Sequence, residues 1–141
     1  MKSAKKSRAL IIKDGMVLVL LKYKNGAVYL TIPGGTYEET DATLEQTVLR
    51  ELYEETSIQA KVVKFLFSAY DPLRKCEQSL YLCEYVSGEP ELLDEVEIKH
   101  LKENPNLLVR PVWVIPSYFK NMEVHPEVLK DFFVSYLEQN S

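Results

Sequence analysis

A chain of 141 residues, 46% hydrophobic and 27% charged, has the size and composition of one soluble globular domain spanning 1–141. Its formal charge of −4 at pH 7 argues against general nucleic-acid binding. No apolar run reaches the ~20 residues of a membrane span, and no signal peptide is visible, so a cytoplasmic protein is expected.

The basic run Lys2, Lys5, Lys6 and Arg8 is expected as a solvated tail leading into the first strand. SRALIIK (7–13), MVLVLLKY (16–23) and AVYLTI (27–32) are β-rich and are separated by Asp14-Gly15 and Asn25-Gly26. Both dipeptides suit tight hairpin turns, so the chain opens as an antiparallel meander. Pro33-Gly34-Gly35 ends it, because proline donates nothing to a ladder and glycine permits positive φ. A polar loop over 36–42 follows.

Thr43-Leu44-Glu45-Gln46 has the form of a capping box and sets a helix start, with the end near Thr56-Ser57. On this helix Leu44, Val48 and Leu52 form an apolar stripe toward a core. Glu51, Glu54 and Glu55 fall beside it within an arc of roughly 100°. They repel one another, no Lys or Arg follows four residues on, and the helix dipole disfavours negative charge in the last turn. A hard divalent cation relieves such a cluster. The plain alternative is a solvated acidic helix face.

KVVKFLFSAY (61–70) and CEQSLYLCEY (76–85) read as strands of a further hairpin turned at Asp71-Pro72. Cys76 and Cys83 fall on opposite faces of the second, so they are expected as reduced thiols. Ser87-Gly88-Glu89-Pro90 breaks the pattern. Residues 91–106 are acidic and irregular, with room for one short helix or strand. RPVWVI (110–115) suits a late strand, and His125-Pro126 opens a helix with Val128, Leu129, Phe132, Phe133 and Leu137 on its apolar side. Strands, helix, strands, helix make a mixed α/β (α+β) domain, its sheet flanked by helices.

Gly35 together with Arg50-Glu51-Leu52-Tyr53-Glu54-Glu55-Thr56-Ser57-Ile58 resembles the Nudix hydrolase signature G-x5-E-x7-R-E-U-x-E-E-x-G-U, where U is a bulky aliphatic residue. Three features depart from it. Asp41 stands six after Gly35 where the family usually has Glu, with eight rather than seven residues before Arg50, and Ser57 replaces the last glycine. Counting back from Arg50 instead reaches Ala42, so the loop carries one extra residue. Ser57 must either leave the helix without the left-handed conformation or adopt it at a cost on the order of 1 kcal/mol.

The resemblance implies a Nudix-like α/β/α sandwich and a pyrophosphohydrolase dependent on Mg²⁺ or Mn²⁺. Its substrate would be a nucleoside diphosphate linked to another moiety. Glu51, Glu54 and Glu55 would be metal ligands with the Gly34 carbonyl, and Arg50 would orient Glu51 through a charge-assisted hydrogen bond. Glu54, Glu51, Arg50 and Glu95 form the expected catalytic set. The acidic segment supplies Glu89, Glu91, Asp94, Glu95 and Glu97 as sources of a general base, with Glu95 preferred among them. Glu38 is placed to meet phosphate oxygens through water, or is a solvated loop charge.

His100 and His125 each lack a second ligand nearby, and His125 is expected to be structural or exposed. Tyr37, Tyr70, Tyr81, Tyr85, Trp113 and Tyr118 suit packing more than base stacking. The expected partner is a nucleotide-type small molecule, without nucleic acid or membrane, and a homodimer is compatible with the pattern. The alternative is a catalytically silent Nudix-like domain that binds a nucleotide or a partner, against which the intact glutamate triad counts. A third reading, an acidic interaction helix, leaves Pro33-Gly34-Gly35 unexplained.

Overall fold

The computed structural model describes residues 4–92 and 95–140, the side chains of 95–97 excepted. Strands β1 (Ala4–Lys13), β2 (Met16–Lys24) and β3 (Ala27–Thr31) are joined by the two expected hairpin turns. Asp14 and Gly15 have φ of 53° and 76°, and Asn25 and Gly26 of 50° and 87°. Positive φ at both central residues matches the right-handed twist of the flanking strands, which is why Asp-Gly and Asn-Gly serve there.

The meander then departs from its simplest form. Strand β1 is in register with β2 at Ile12↔Val17 and Lys13↔Met16, next to the turn. Its stretch from Ala4 to Ile11 runs parallel to β6 (Cys76–Ser87), from Ala4↔Cys76 to Ile11↔Cys83. Strand β2 continues instead against β7 (Leu107–Val114). The sheet order is β5-β6-β1-β2-β3-β8, with β4 on β1 and β7 on β2, where β4 is Gly34–Thr36, β5 is Gln59–Asp71 and β8 is Val124–His125.

Pro33-Gly34-Gly35 does not simply stop the meander. Gly34–Thr36 form β4, a three-residue strand antiparallel to β1 through Arg8↔Gly34, Ser7↔Gly35 and Lys6↔Thr36. The basic run is corrected as well, because β1 already begins at Ala4 and Arg8 is buried. Strand alternation turns Arg8 and Leu10 to one face, Ser7, Ala9 and Ile11 to the other. A 3-10 helix over Pro116–Asn121, which the sequence reading passed over, buries Phe119.

Helix α1 (Leu44–Thr56) covers one face of the sheet, where Val48, Leu52 and Ile58 pack with Ala9, Ile11 and Leu18. Helix α3 (Glu127–Asn140) covers the other, where Leu129, Phe133 and Leu137 pack with Leu10, Val19, Leu30 and Phe119. The expected apolar sides of both helices are the observed ones. Helix α2 (Glu95–Glu103) is the short element within the acidic segment. Cys76 and Cys83 are free and buried, and burial pushes the Cys83 thiol up to about 12. Among the described residues, no helix is long and apolar enough to cross a membrane.

Candidate metal and phosphate site

Both ends of α1 are fixed by its own sequence. The Thr43 hydroxyl accepts the Gln46 N–H at 3.1 Å, the first half of the capping box. The second half is displaced by one residue: Gln46 Oε1 accepts from the Ala42 N–H at 2.8 Å rather than from Thr43. At the other end Ser57 takes the left-handed conformation, φ 62° and ψ 8°, and its N–H donates to the Tyr53 carbonyl at 2.8 Å. Serine there costs on the order of 1 kcal/mol relative to glycine. Its hydroxyl donates to the Glu89 carbonyl, and the Glu91 N–H donates to the Thr56 carbonyl at 2.8 Å. The start of the acidic segment is thereby tied to the end of α1 that bears the glutamates.

Arg50 is the hub of the exposed side. Its Nε and Nη2 donate to the two Asp41 oxygens, each at 2.9 Å, and Nη2 also donates to the Thr36 carbonyl at 3.1 Å. Nη1 donates to Glu51 Oε1 at 2.9 Å, the hydrogen bond expected of it, and to Glu54 Oε2 at 3.5 Å. Glu38 lies at ion-pair distance, 3.8 Å, with a largely exposed carboxylate.

Asp41 is buried, and it further accepts the Glu38 N–H at 3.0 Å and the Thr47 hydroxyl at 2.9 Å. The Arg50 hydrogen bonds hold its carboxyl far below the usual carboxylate range and in turn raise the guanidinium. Asp41 therefore closes the lengthened loop onto the helix. This role was not read from the sequence, although the residue's place in the signature marked it.

The two glycines are required by what leans on them. A Cβ at Gly35 would lie 2.3 Å from Glu51 Cδ and 2.5 Å from its Oε2. One at Gly34, where φ is 151°, would lie 2.0 Å from the Ser7 carbonyl oxygen. The Gly34 N–H donates to Glu55 Oε1 at 2.8 Å. Burial pushes the Glu55 carboxyl up to about 7, against the lowering by the Gly34 N–H and by Arg8. Burial also raises Glu51, the Arg50 hydrogen bond opposing it. Glu54 is the open member, its side chain 42% exposed against 18% for Glu51.

The carboxylates thus stand at one end of α1, each drawn to an N–H donor. Among the described residues, no three acidic, His or Cys side chains converge on a common point. The donor set nevertheless suits a hard cation. It is all oxygen, one cationic side chain faces Asp41, Glu51, Glu54 and Glu38, and the Gly35 cradle leaves the Glu51 carboxylate lying against the backbone.

The remaining candidates are the outlying acids, the histidines and the aromatics. Glu95 begins α2, but its side chain, that of Glu97 and all of Asp94 lie outside the described residues. His125 stacks on Tyr29 at 4.3 Å and pairs with Glu123 and Glu127, and the His100 carbonyl accepts from Asn104. Tyr85 and Trp113 pack edge to face under Lys13, beside the α1 core.

A mixed sheet between two helices, with a Pro-Gly-Gly turn set against a glutamate-bearing helix end, is the architecture of a Nudix domain. The family model described as NUDIX domain matches residues 4–132, and the chain belongs to that family. Over 74 residues it is 34% identical to the NAD-capped RNA hydrolase NudC of Mannheimia succiniciproducens, covering 52% of this chain and 27% of that protein. The chain therefore spans little more than a quarter of that curated relative's length.

In fold it resembles the E. coli ORF135 protein, with a TM-score of 0.69 and 18% identity, covering 100% of this chain and 93% of that one. It also resembles the MutT protein of Methanosarcina mazei, with a TM-score of 0.68 and 23% identity, covering 98% and 95%.

Proposed function

We propose that this chain hydrolyses a phosphoanhydride bond in a nucleoside diphosphate linked to another moiety, with Mg²⁺ or Mn²⁺ as cofactor. The observation that carries the reading is the excess of carboxylates over cations toward the end of α1, where Arg8 and Lys22 offset the charge of Glu55 only in part. Arg50 commits two donors to Asp41 and reaches Glu51 and Glu54 with the rest, while Glu55 is buried against a neutral peptide N–H. Glu51, Glu54, Glu55 and the Gly34 carbonyl are the ligands we assign to the cation. When bound, the metal shields phosphate charge, polarises the anhydride and lowers the pKa of water.

The chain's own residues supply position. Arg50 and Asp41 hold the loop on the helix and turn Glu51 toward Gly35, and Gly34 orients Glu55. Glu95 is our candidate for the general base. The anchoring of Glu91 on Thr56 supports it, since that bond starts the acidic segment beside the glutamates. The 141-residue chain has no helix able to cross a membrane among its described residues, which suits a nucleotide-type substrate met in solution.

The test is a panel assay on purified protein with Mg²⁺ or Mn²⁺. Nucleotide sugars, ADP-ribose, dinucleoside polyphosphates, oxidised nucleoside triphosphates and NAD-capped RNA are scored by chromatography of the nucleotide products. Cleavage of at least one, lost on chelation, is expected. Binding without cleavage across the panel would replace this reading with that of a silent nucleotide-binding domain.

A further inference from the structure

Arg8 is only 6% exposed, and its two directional partners among the described residues are both neutral: Nε donates to Gln78 Oε1 and Nη1 to the Ile32 carbonyl, each at 3.1 Å. Burying a guanidinium without a bonded carboxylate is unfavourable, and burial accordingly lowers its pKa. The charge that most opposes this is Glu55, and Arg8 is likewise the first of the charges acting on Glu55. Tyr, Leu or Thr would serve β-propensity and packing at this position without that cost.

The side chain runs directly beneath the Gly34 turn. A Cβ at Gly34 would lie 2.7 Å from Arg8 Cα and 2.9 Å from its Cδ. Arg8 holds the carbonyl of Ile32, the Pro33 carbonyl accepts the Ala9 N–H at 2.8 Å, and the next N–H, that of Gly34, points to Glu55. Gln78 cannot turn away, because its Nε2 donates to Asp71 Oδ2 at 3.1 Å and so fixes its Oε1 toward Arg8. Asp71 is anchored by Arg74 at 2.9 Å and by the Leu73 N–H at 3.0 Å.

We propose that Arg8 is a positioning residue of the metal platform: through the Ile32 carbonyl it fixes the Pro33-Gly34 turn against Glu55, and Gln78 and Asp71 hold it in place. The proposal rests on the metal-dependent reading above.

The experiment is Mn²⁺ binding, followed by electron paramagnetic resonance on the full chain, for wild type, Arg8→Met, Arg8→Lys, Glu55→Gln and the Arg8→Met/Glu55→Gln double variant. Arg8→Met should weaken Mn²⁺ binding about tenfold, as loss of an outer-shell partner does, and Arg8→Lys should recover part of that loss. In the Glu55→Gln background the Arg8→Met effect should vanish, because the two act through one element. An Arg8→Met loss of equal size in both backgrounds, or no loss in wild type, overturns the proposal even if Glu55→Gln weakens binding. Wild type that binds no Mn²⁺ overturns the metal-dependent reading and this inference with it. Should Arg8→Met not fold, Gln78→Met removes the restraint alone and is expected to act in the same direction, again only when Glu55 is present.

Discussion

Helices α1 and α3 cover opposite faces of one sheet, yet their carboxylates are partnered differently. Helix α3 opens with Glu127 in its first turn, where the dipole favours a carboxylate, and Arg74 pairs with it at 3.2 Å. Near its end Glu138 is offset by Lys120 at 3.4 Å. Helix α1 also opens with a glutamate, Glu45, and neither helix has a basic residue in its last turn. Helix α1, however, gathers Glu51, Glu54 and Glu55 toward its C-terminal end and shares Arg50 with Asp41. Both helices bury an apolar face, so packing does not separate them. Helix α3, with Glu127 and Glu138 each paired, is read as serving the fold, and α1, left with a surplus, is the helix we propose to serve a ligand.

That contrast can be broken at several points. Glu54→Gln should lower metal-dependent hydrolysis on the order of 10³-fold, or ~4 kcal/mol, with an unchanged circular dichroism spectrum. A variant retaining full activity would return α1 to the plain acidic face. On the opposite side, Phe133→Ala should cost about 3–5 kcal/mol in urea unfolding, since Phe133 is fully buried against Phe119. Its effect on turnover should follow only the fraction unfolded. Asp41→Asn withdraws the carboxylate from Arg50 and should reduce kcat/KM roughly 10–100-fold while the chain stays folded.

Glu55 carries the pH dependence. Its folded carboxyl stands at about 7 against an ordinary 4.5, so the unfolded chain ionises first as pH rises. The associated stability is therefore complete below about 4.5 and is lost as pH climbs through 7. In metal-free buffer Glu55→Gln should stabilise the protein by roughly 1–2 kcal/mol at pH 8 and by nothing at pH 4, read from thermal melts. Smallest of all, Glu138→Gln should change stability by less than about 0.5 kcal/mol, because its ion pair with Lys120 is exposed.

What was legible in the chain was local. Asp14-Gly15, Asn25-Gly26 and the Thr43 cap each act within a few residues, and the hairpins and α1 stand where those signals put them. The Arg50–Glu51 bond between neighbours was implied by the motif's resemblance to the family signature. What escaped depended on distant partners. Arg8 looked like one more charge in a basic run because Gln78 and Ile32, which bury it, lie 70 and 24 residues away. Gly34-Gly35 looked like a terminator because nothing local says that β1 has an open edge for a three-residue strand. Asp41 carried its clue in the signature's spacing, but the loop had to be seen folded onto Arg50 before its role was plain.

The parallel seam between β1 and β6 has a consequence for assembly. All signature residues lie between Gly35 and Ile58, so an excised peptide could carry every one of them. It would still lack β1, whose Ser7 and Arg8 back the glycines, and β6, whose Gln78 braces Arg8. That seam joins Ala4 to Cys76 and Ile11 to Cys83, so forming it closes a chain loop of about 70 residues, an entropy cost that no hairpin turn incurs. During synthesis the motif is complete long before its support exists. The platform we propose for a cation is assembled only after the β5–β6 hairpin has emerged and docked.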